Sequence, residues 1–251
     1  MEKVVGDCKL LLGNCLSILP TLEAANHIIS DAPYEDELHE AVGKINRIRT
    51  DGFLVPETLG FQGINSIRNE VAKLCVEKSM GWTLLFTLAE GVRAWRDCLQ
   101  AHGGKYDTCM AWVKPDAAPR FNGQGPSRGF ECIVSAWCGK GYRSWNGGGS
   151  RGVFTHTVNP PDRQGEHPTE KPLSLMKELV GLFTNEGDLV LDPFAGSFTT
   201  GVACAQMNRR FIGIEQDERY FQIGIERITR AYREPDMFYH KTSKPKQEVF
   251  I

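Results

Sequence analysis

No apolar run in this chain approaches the roughly 18 residues that a bilayer span requires, so a membrane protein is not expected. No charged-then-apolar leader opens it either, because residues 1–7 pass straight into a strand-like pattern. The eight cysteines are scattered, with no CxxC pair and no histidine at zinc spacing. That excludes a disulfide framework and a zinc module, leaves no metal expected, and fits a reduced, cytoplasmic protein. Neither GxGxxG nor a Gly-Lys-Ser/Thr phosphate loop occurs, which disfavours a nicotinamide oxidoreductase and a nucleotide triphosphatase. There is no internal repeat and no low-complexity block. Nor is there a large charge excess: the formal net charge is −2, so a nucleic-acid partner would have to be held by a local patch.

What is present is an ordinary globular composition over 251 residues, 41% hydrophobic and 24% charged, expected to form a single domain over 1–251. Charge is uneven. Residues 114–163 carry seven basic groups against three acidic ones and hold nine glycines, which leaves the remainder of the chain acidic. A basic, glycine-rich, loop-heavy segment could track a phosphate backbone or be an ordinary solvated loop. Short strand patterns fall at 3–5, 9–13, 27–30, 82–88, 106–113, 131–137, 188–192 and 210–215. Helical spacing falls at 15–22, 67–80, 90–101, 172–183, 199–207 and 217–232. Residues 35–66 are polar and irregular, longer than a usual loop, and read as a functional or mobile insertion. The alternation predicts an α/β protein with a doubly wound, mostly parallel sheet. Ligands of such sheets bind beyond the carboxyl ends of the strands, at a topological switch point.

Three predicted strand ends are unusual. Asp192-Pro193-Phe194-Ala195-Gly196-Ser197-Phe198-Thr199-Thr200 is a small-residue turn between strand and helix, where glycine lets a ligand approach the backbone. Glu215 ends the next strand, where a carboxylate can accept hydrogen bonds from both ribose hydroxyls or simply cap the last helix. Asp31-Ala32-Pro33-Tyr34 puts an acid, a prolyl turn and an aromatic at a strand end. It can recognise a planar amine-bearing group or form an Asx-type turn.

Together these motifs resemble the amino-methyltransferases of DNA, in the permuted order called the β class. There an (Asp/Asn/Ser)-Pro-Pro-(Tyr/Phe) motif comes early and the S-adenosylmethionine motif Asp-Pro-Phe-x-Gly-Ser-Gly-Thr-Thr comes late, as at 31–34 and 192–200 here. Leu12-Gly13-Asn14-Cys15-Leu16, Trp112-Val113-Lys114-Pro115, Phe130-Glu131-Cys132-Ile133-Val134 and His167-Pro168-Thr169-Glu170-Lys171-Pro172 resemble further family motifs. The likeness covers roughly residues 8–34 and 82–232. Three positions depart from the pattern. Ala32 replaces the first proline of the catalytic motif, Phe198 a glycine of the cofactor loop, and Asn14 the usual aspartate.

The resemblance implies a Rossmann-like class I methyltransferase with a small DNA-recognition insertion at 114–163. It implies methyl transfer from S-adenosylmethionine to the N6 amine of adenine in DNA, because family members acting on cytosine N4 more often show Ser in place of Asp31. Cytosine N4 methylation is the alternative. A binding module that has lost turnover and a protein-glutamine methyltransferase rank below it. The implied catalytic group is Asp31, Ala32, Pro33 and Tyr34. Cofactor contacts are implied at Asn14, Cys15, Asp31, Asp192, Phe194, Gly196, Ser197 and Phe198, with Glu215 on the ribose and Thr169 and Lys171 on the methionine carboxylate. Phe198 is expected to narrow the cofactor pocket or shift its loop. DNA contacts are expected from Lys44, Arg47, Arg49 and Arg68 on one wall. Lys114, Arg120, Arg128, Lys140, Arg143 and Arg151 are expected on the other, with Trp145 either stacking at a flipped base or packed internally. Many relatives dimerise, so a homodimer is a further expectation.

Overall fold

The computed structural model describes residues 1–35, 63–119, 123–158 and 170–234. Among the described residues nine strands form one sheet: β1 Glu2–Val5, β2 Cys8–Leu12, β3 His27–Ser30, β4 Trp82–Thr87, β5 Lys105–Val113, β6 Phe130–Trp137, β7 Val153–Thr155, β8 Leu189–Asp192 and β9 Arg210–Glu215. The helices are α1 Cys15–Ile18, α2 Arg68–Lys78, α3 Val92–Ala101, α4 Leu173–Phe183, α5 Thr199–Gln206 and α6 Glu218–Arg233. Strand order is β1-β2-β9-β8-β3-β4-β6-β5-β7. The run from β2 to β4 is parallel throughout, as the alternating pattern predicts. β7 was not expected; its three residues add to β5 in parallel.

Alternate strand residues serve opposite faces, as a period of two dictates. Ile29, Leu84, Phe86 and Val190 pack under α4, α5 and α6. Ile28, Leu85 and Leu191 pack against Val71 and Leu74 of α2 and Trp95 and Leu99 of α3. From β3 the chain passes through α2 on one face to β4. From β8 it passes through α5 on the other face to β9. Because β3 and β8 are neighbours, these departures in opposite directions open a crevice beyond their carboxyl ends, the switch point of the fold.

The antiparallel β4–β6–β5 hairpin region sends the chain to the other end of the sheet. Since β6 runs against β4, the segment after Trp137 emerges at the amino ends of the parallel strands. Cys138 N–H donates to Gly81 O at 2.8 Å, and Trp82 Nε1 donates to Ser144 O at 2.5 Å. Asn146 N–H meets Leu182 O at 2.7 Å, at the end of α4. Among the described residues no helix is long and apolar enough to cross a membrane.

A buried histidine joins three parallel strands at that same end. Trp82 N–H donates to His27 Nδ1 at 3.0 Å, which places the ring proton on Nε2, 3.3 Å from Asp188 Oδ2. Burial holds His27 below the ordinary imidazole value of 6.5, against the pull of Asp188. A base held low in the fold contributes stability above its unfolded value and loses it as pH falls below. Unfolding free energy measured by urea titration should therefore drop as pH falls below about 6.5, and His27→Gln should flatten that part of the curve.

Candidate active site at the β3–β8 crevice

β8 ends in Asp192, whose buried carboxylate laces the crevice together. It accepts from Ser30 Oγ at 2.6 Å, Thr200 Oγ1 at 2.7 Å and Phe194 N–H at 3.1 Å. Burial pushes this acid up to about 6, against the pull of those donors. The following turn needs Gly196, which sits at φ 51° and gives its N–H to Glu215 Oε2 at 2.8 Å. Glu215 Oε1 takes Asp217 N–H at 2.8 Å, while the cap of α6 itself is Asp217, accepting from Arg219 and Tyr220 N–H. Glu215 thus lies between two loops rather than capping the helix, and burial raises its proton affinity against three backbone donors.

Arg227 supports the turn from behind. Its guanidinium donates to Ser197 O at 2.7 Å and Ser197 Oγ at 2.6 Å, and forms a buried ion pair with Glu170. Sequence reading missed this residue. The readable signal was an arginine on the apolar face of α6, among Phe221, Gly224, Ile228 and Ala231.

After β3, Pro33 biases Ala32 to an extended backbone. Tyr34 O accepts Ile64 N–H at 3.1 Å, and Glu35 pairs with Arg68 at 3.0 Å and takes Thr87 Oγ1 at 3.2 Å. Asp31 Oδ2 accepts from Lys171 Nζ at 2.6 Å; Tyr34 Oη accepts from the same ammonium at 3.0 Å and donates to Glu131 Oε2 at 2.6 Å. Lys114 closes the network on Glu131 Oε1 and lies over the Trp112 ring. Glu131 had no expected role, yet a charge opening the apolar strand β6 was the visible clue. Burial raises Asp31 above the ordinary carboxylate value and Lys171 opposes it. Burial lowers Lys171, but Asp31 and Glu131 outweigh that and its net shift is upward.

Asp31, Tyr34 and Lys171 border a cavity of about 400 Å³ whose wall also includes Gly13, Cys15, Phe194, Ser197 and Glu215. The size is that of a pocket for a small organic ligand. Asp31 Oδ1 is buried there with no hydrogen-bond partner among the described residues. Tyr220, not anticipated, also lines it.

Several expectations need correction. Phe198 does not narrow the cavity: its ring is fully buried on the α6 side, 6.3 Å from both Phe211 and Phe221. Its backbone is left-handed at φ 62°, which explains why a glycine suits this position. Asn14 caps α1 by accepting Leu16 N–H at 2.8 Å and is absent from the cavity wall. Arg68 is no surface wall but the half-buried partner of Glu35. The described basic residues of 114–163 do not form one face. Lys114 and Arg128 lie at the carboxyl end of the parallel strands, engaged by Glu131 and Glu90, and Arg151 is exposed beside the sheet edge. Lys140, Arg143 and Trp145 follow β6 to the opposite end. Arg143 pairs there with Asp107, and Trp145 packs 5.6 Å from Phe183, the internal placement. Lys44, Arg47, Arg49, Arg120 and Thr169 lie outside the described residues, as does most of the 35–66 insertion.

A family model described as DNA methylase matches residues 25–226. The chain is similar to the DNA adenine methyltransferase YhdJ of Escherichia coli K12, 48% identical over 152 residues, 52% of this chain and 47% of that protein. It is also similar to the type II methyltransferase M2.DpnII of Streptococcus pneumoniae, 47% identical over 145 residues, 52% of this chain and 53% of that one. The chain thus spans about half the length of these curated relatives. Among solved structures, the complex of M1.HpyAVI with SAM matches with TM-score 0.68 at 23% identity, covering 88% of this chain and 98% of that one. The cytosine-N4-specific PvuII DNA methyltransferase matches with TM-score 0.68 at 15% identity, covering 92% and 93%. At such identities these structures establish the shared fold.

The slot for Phe198 is built from glycine: a Cβ on Gly224 would stand 2.1 Å from the ring. Phe198→Gly relieves about 1 kcal/mol of left-handed strain but forfeits packing that costs about 3–5 kcal/mol when a buried Phe is truncated. A net loss of about 2–4 kcal/mol is expected by urea unfolding, with cofactor affinity in the folded protein changed less than about threefold because the ring is not in the cavity wall.

Proposed function

The chain belongs to the DNA methylase family, and on that premise we propose that it transfers a methyl group from S-adenosylmethionine to the N6 amine of adenine in DNA. The observation that carries this reading is Asp31 Oδ1, a buried acceptor without a partner among the described residues, beside a ligand-sized cavity at the switch point. An acceptor in that state is costly unless a donor arrives, and a substrate amine is such a donor.

The cavity fits the cofactor by size and by its donor set. Glu215 stands at the β9 end, where a ribose is held in folds of this kind. Phe194 and the Gly196–Ser197 backbone form the wall beside it. When bound, S-adenosylmethionine supplies an electrophilic methyl on its sulfonium. Lys171 has its ammonium on Asp31 and Tyr34, so orienting the catalytic acid is the role its contacts support, in place of binding a carboxylate.

The exocyclic amine of adenine is a poor nucleophile because its lone pair is delocalised into the ring. Asp31 Oδ1 accepts one amine hydrogen and the Ala32 carbonyl the other. This frees the lone pair and stabilises the positive charge that builds on nitrogen; as the nitrogen–methyl bond formed, the sulfur–methyl bond would break to leave a neutral thioether, and the surplus amine proton would pass by way of Asp31 to solvent. Alignment of nitrogen and methyl supplies the proximity contribution. The base cannot be reached inside a duplex, so it must be extruded or already unpaired. Tyr34 offers the stacking face, worth about 1–3 kcal/mol. The name of the E. coli relative, an adenine enzyme at 48% identity, favours adenine over cytosine.

The test is transfer from labelled S-adenosylmethionine to unmethylated DNA, with the product nucleosides identified. N6-methyladenine is the expected product. Asp31→Ala should reduce turnover by about 10²-fold or more, while cofactor affinity by calorimetry stays within a few-fold. N4-methylcytosine would replace adenine by cytosine in this reading, and absence of any methylated nucleoside would sink it.

A further inference from the structure

The Lys171 ammonium is shared among three oxygens: Asp31 Oδ2 at 2.6 Å, Tyr34 Oη at 3.0 Å and Glu131 Oε2 at 3.4 Å. The rings of Phe86, Tyr34 and Trp112 enclose it at 5.2, 5.3 and 5.9 Å from their centroids. With Lys171 only 7% exposed, water cannot take over from these oxygens, so the balance among them fixes where the charge acts. Glu131 is the element of this balance that does not border the cavity. It stands on β6 opposite Trp112, 9% exposed, with Lys114 on one oxygen and the Tyr34 hydroxyl on the other.

We propose that Glu131, with Lys114 as its counter-ion, is a positioning residue for the methylation reaction. It holds Tyr34 by its hydroxyl and shares the Lys171 cation with Asp31, so that Asp31 keeps enough negative charge to draw a hydrogen from the substrate amine. The inference rests on the methyltransferase reading above and deepens it.

The sign of the effect follows from the charges that face Asp31. Lys171 approaches from the segment before α4, Glu131 from β6, Lys114 from just after β5, Tyr34 from the same turn and Asp192 from β8. Burial and Glu131 raise the proton affinity of Asp31, whereas Lys171 and Lys114 lower it. Removing the Glu131 charge leaves both lysines unopposed and makes Asp31 a weaker acceptor. Removing the Lys114 charge lets Glu131 compete harder for Lys171 and makes Asp31 a stronger one.

The experiment is the pH profile of kcat and kcat/KM for wild type, Glu131→Gln and Lys114→Met, each checked for folding by thermal melting. For Glu131→Gln the acid limb should move to lower pH by about one unit and kcat should fall about tenfold, with KM for cofactor and DNA within about threefold. For Lys114→Met the limb should move the other way, so the inference is tested even if one variant does not fold. A purely structural role would lower melting temperature and active fraction but leave the limb in place. Limbs coincident with that of an active wild type overturn the inference alone. A wild type without methyl transfer overturns the reading beneath it, and the inference with it.

Discussion

The crevice depends on one buried carboxylate. Asp192 ends β8, yet two of its hydrogen bonds go to residues on other elements, Ser30 of β3 and Thr200 of α5. It therefore ties the two strands whose chains leave in opposite directions, at the point where the sheet would otherwise have a gap. A carboxylate with three donors is stable in such a place; an amide or an alkyl group could not satisfy all three. Burial raises its proton affinity to about 6, so the same group is near its own titration range at neutral pH. Gly196, Glu215 and Arg227 then extend the lacing outward: a loop drawn to β9 on one side and to α6 on the other. The cavity wall is rigid because its backbone is hydrogen-bonded to three separate elements.

The Asp31 side of the crevice is organised differently, by charge. Asp31, Lys171, Glu131 and Lys114 alternate in sign along one chain of contacts, two anions and two cations. An alternating set can be buried at modest cost, whereas removing one member leaves an uncompensated charge and costs about 3–5 kcal/mol. This gives the turn a fixed geometry without a regular element to hold it. The second anchor, Glu35 on Arg68 and Thr87, grips the chain just beyond Tyr34. Gly91 is needed for that grip, because a Cβ there would lie 1.9 Å from Glu35 Oε1.

What the sequence made legible was the position of the elements, including 106–113 and 131–137 of the antiparallel half, but only in the parallel half also the strand direction. Strand and helix patterns from residue 188 onward are nearly those observed, because buried parallel strands are short apolar runs between amphipathic helices. The unusual strand ends at Asp31, Asp192 and Glu215 do converge on one crevice. The basic segment was not legible, since its reading depended on strand direction. A one-dimensional count of Lys and Arg cannot tell that β6 runs antiparallel between Arg128 and Lys140 and carries Lys140 and Arg143 to the far end of the sheet. Arg68 and Lys114 looked like surface cations because their acidic partners, Glu35 and Glu131, are distant in sequence or unremarkable in it. Phe198 looked like a pocket residue because its neighbours are; the left-handed backbone at that one position turns the ring away.

The same distinction between backbone and side chain explains the altered catalytic motif. At position 32 the proposed chemistry asks for a carbonyl oxygen, and every residue has one. What a proline there would add is restriction of its own φ; what the carbonyl's direction needs is an extended conformation, which Pro33 already favours from the following position. The remaining requirement is steric. Ala32 is 2% exposed and packs in the cluster beneath the crevice with Ile28, Ile64 and Leu85. A small apolar residue meets that requirement, and a large or polar one would not. The substitution therefore removes rigidity that Pro33, the Tyr34–Ile64 hydrogen bond and the Glu35 anchor already supply. On this argument the departure from the family pattern at Ala32 is a local economy of sequence and no sign of lost turnover.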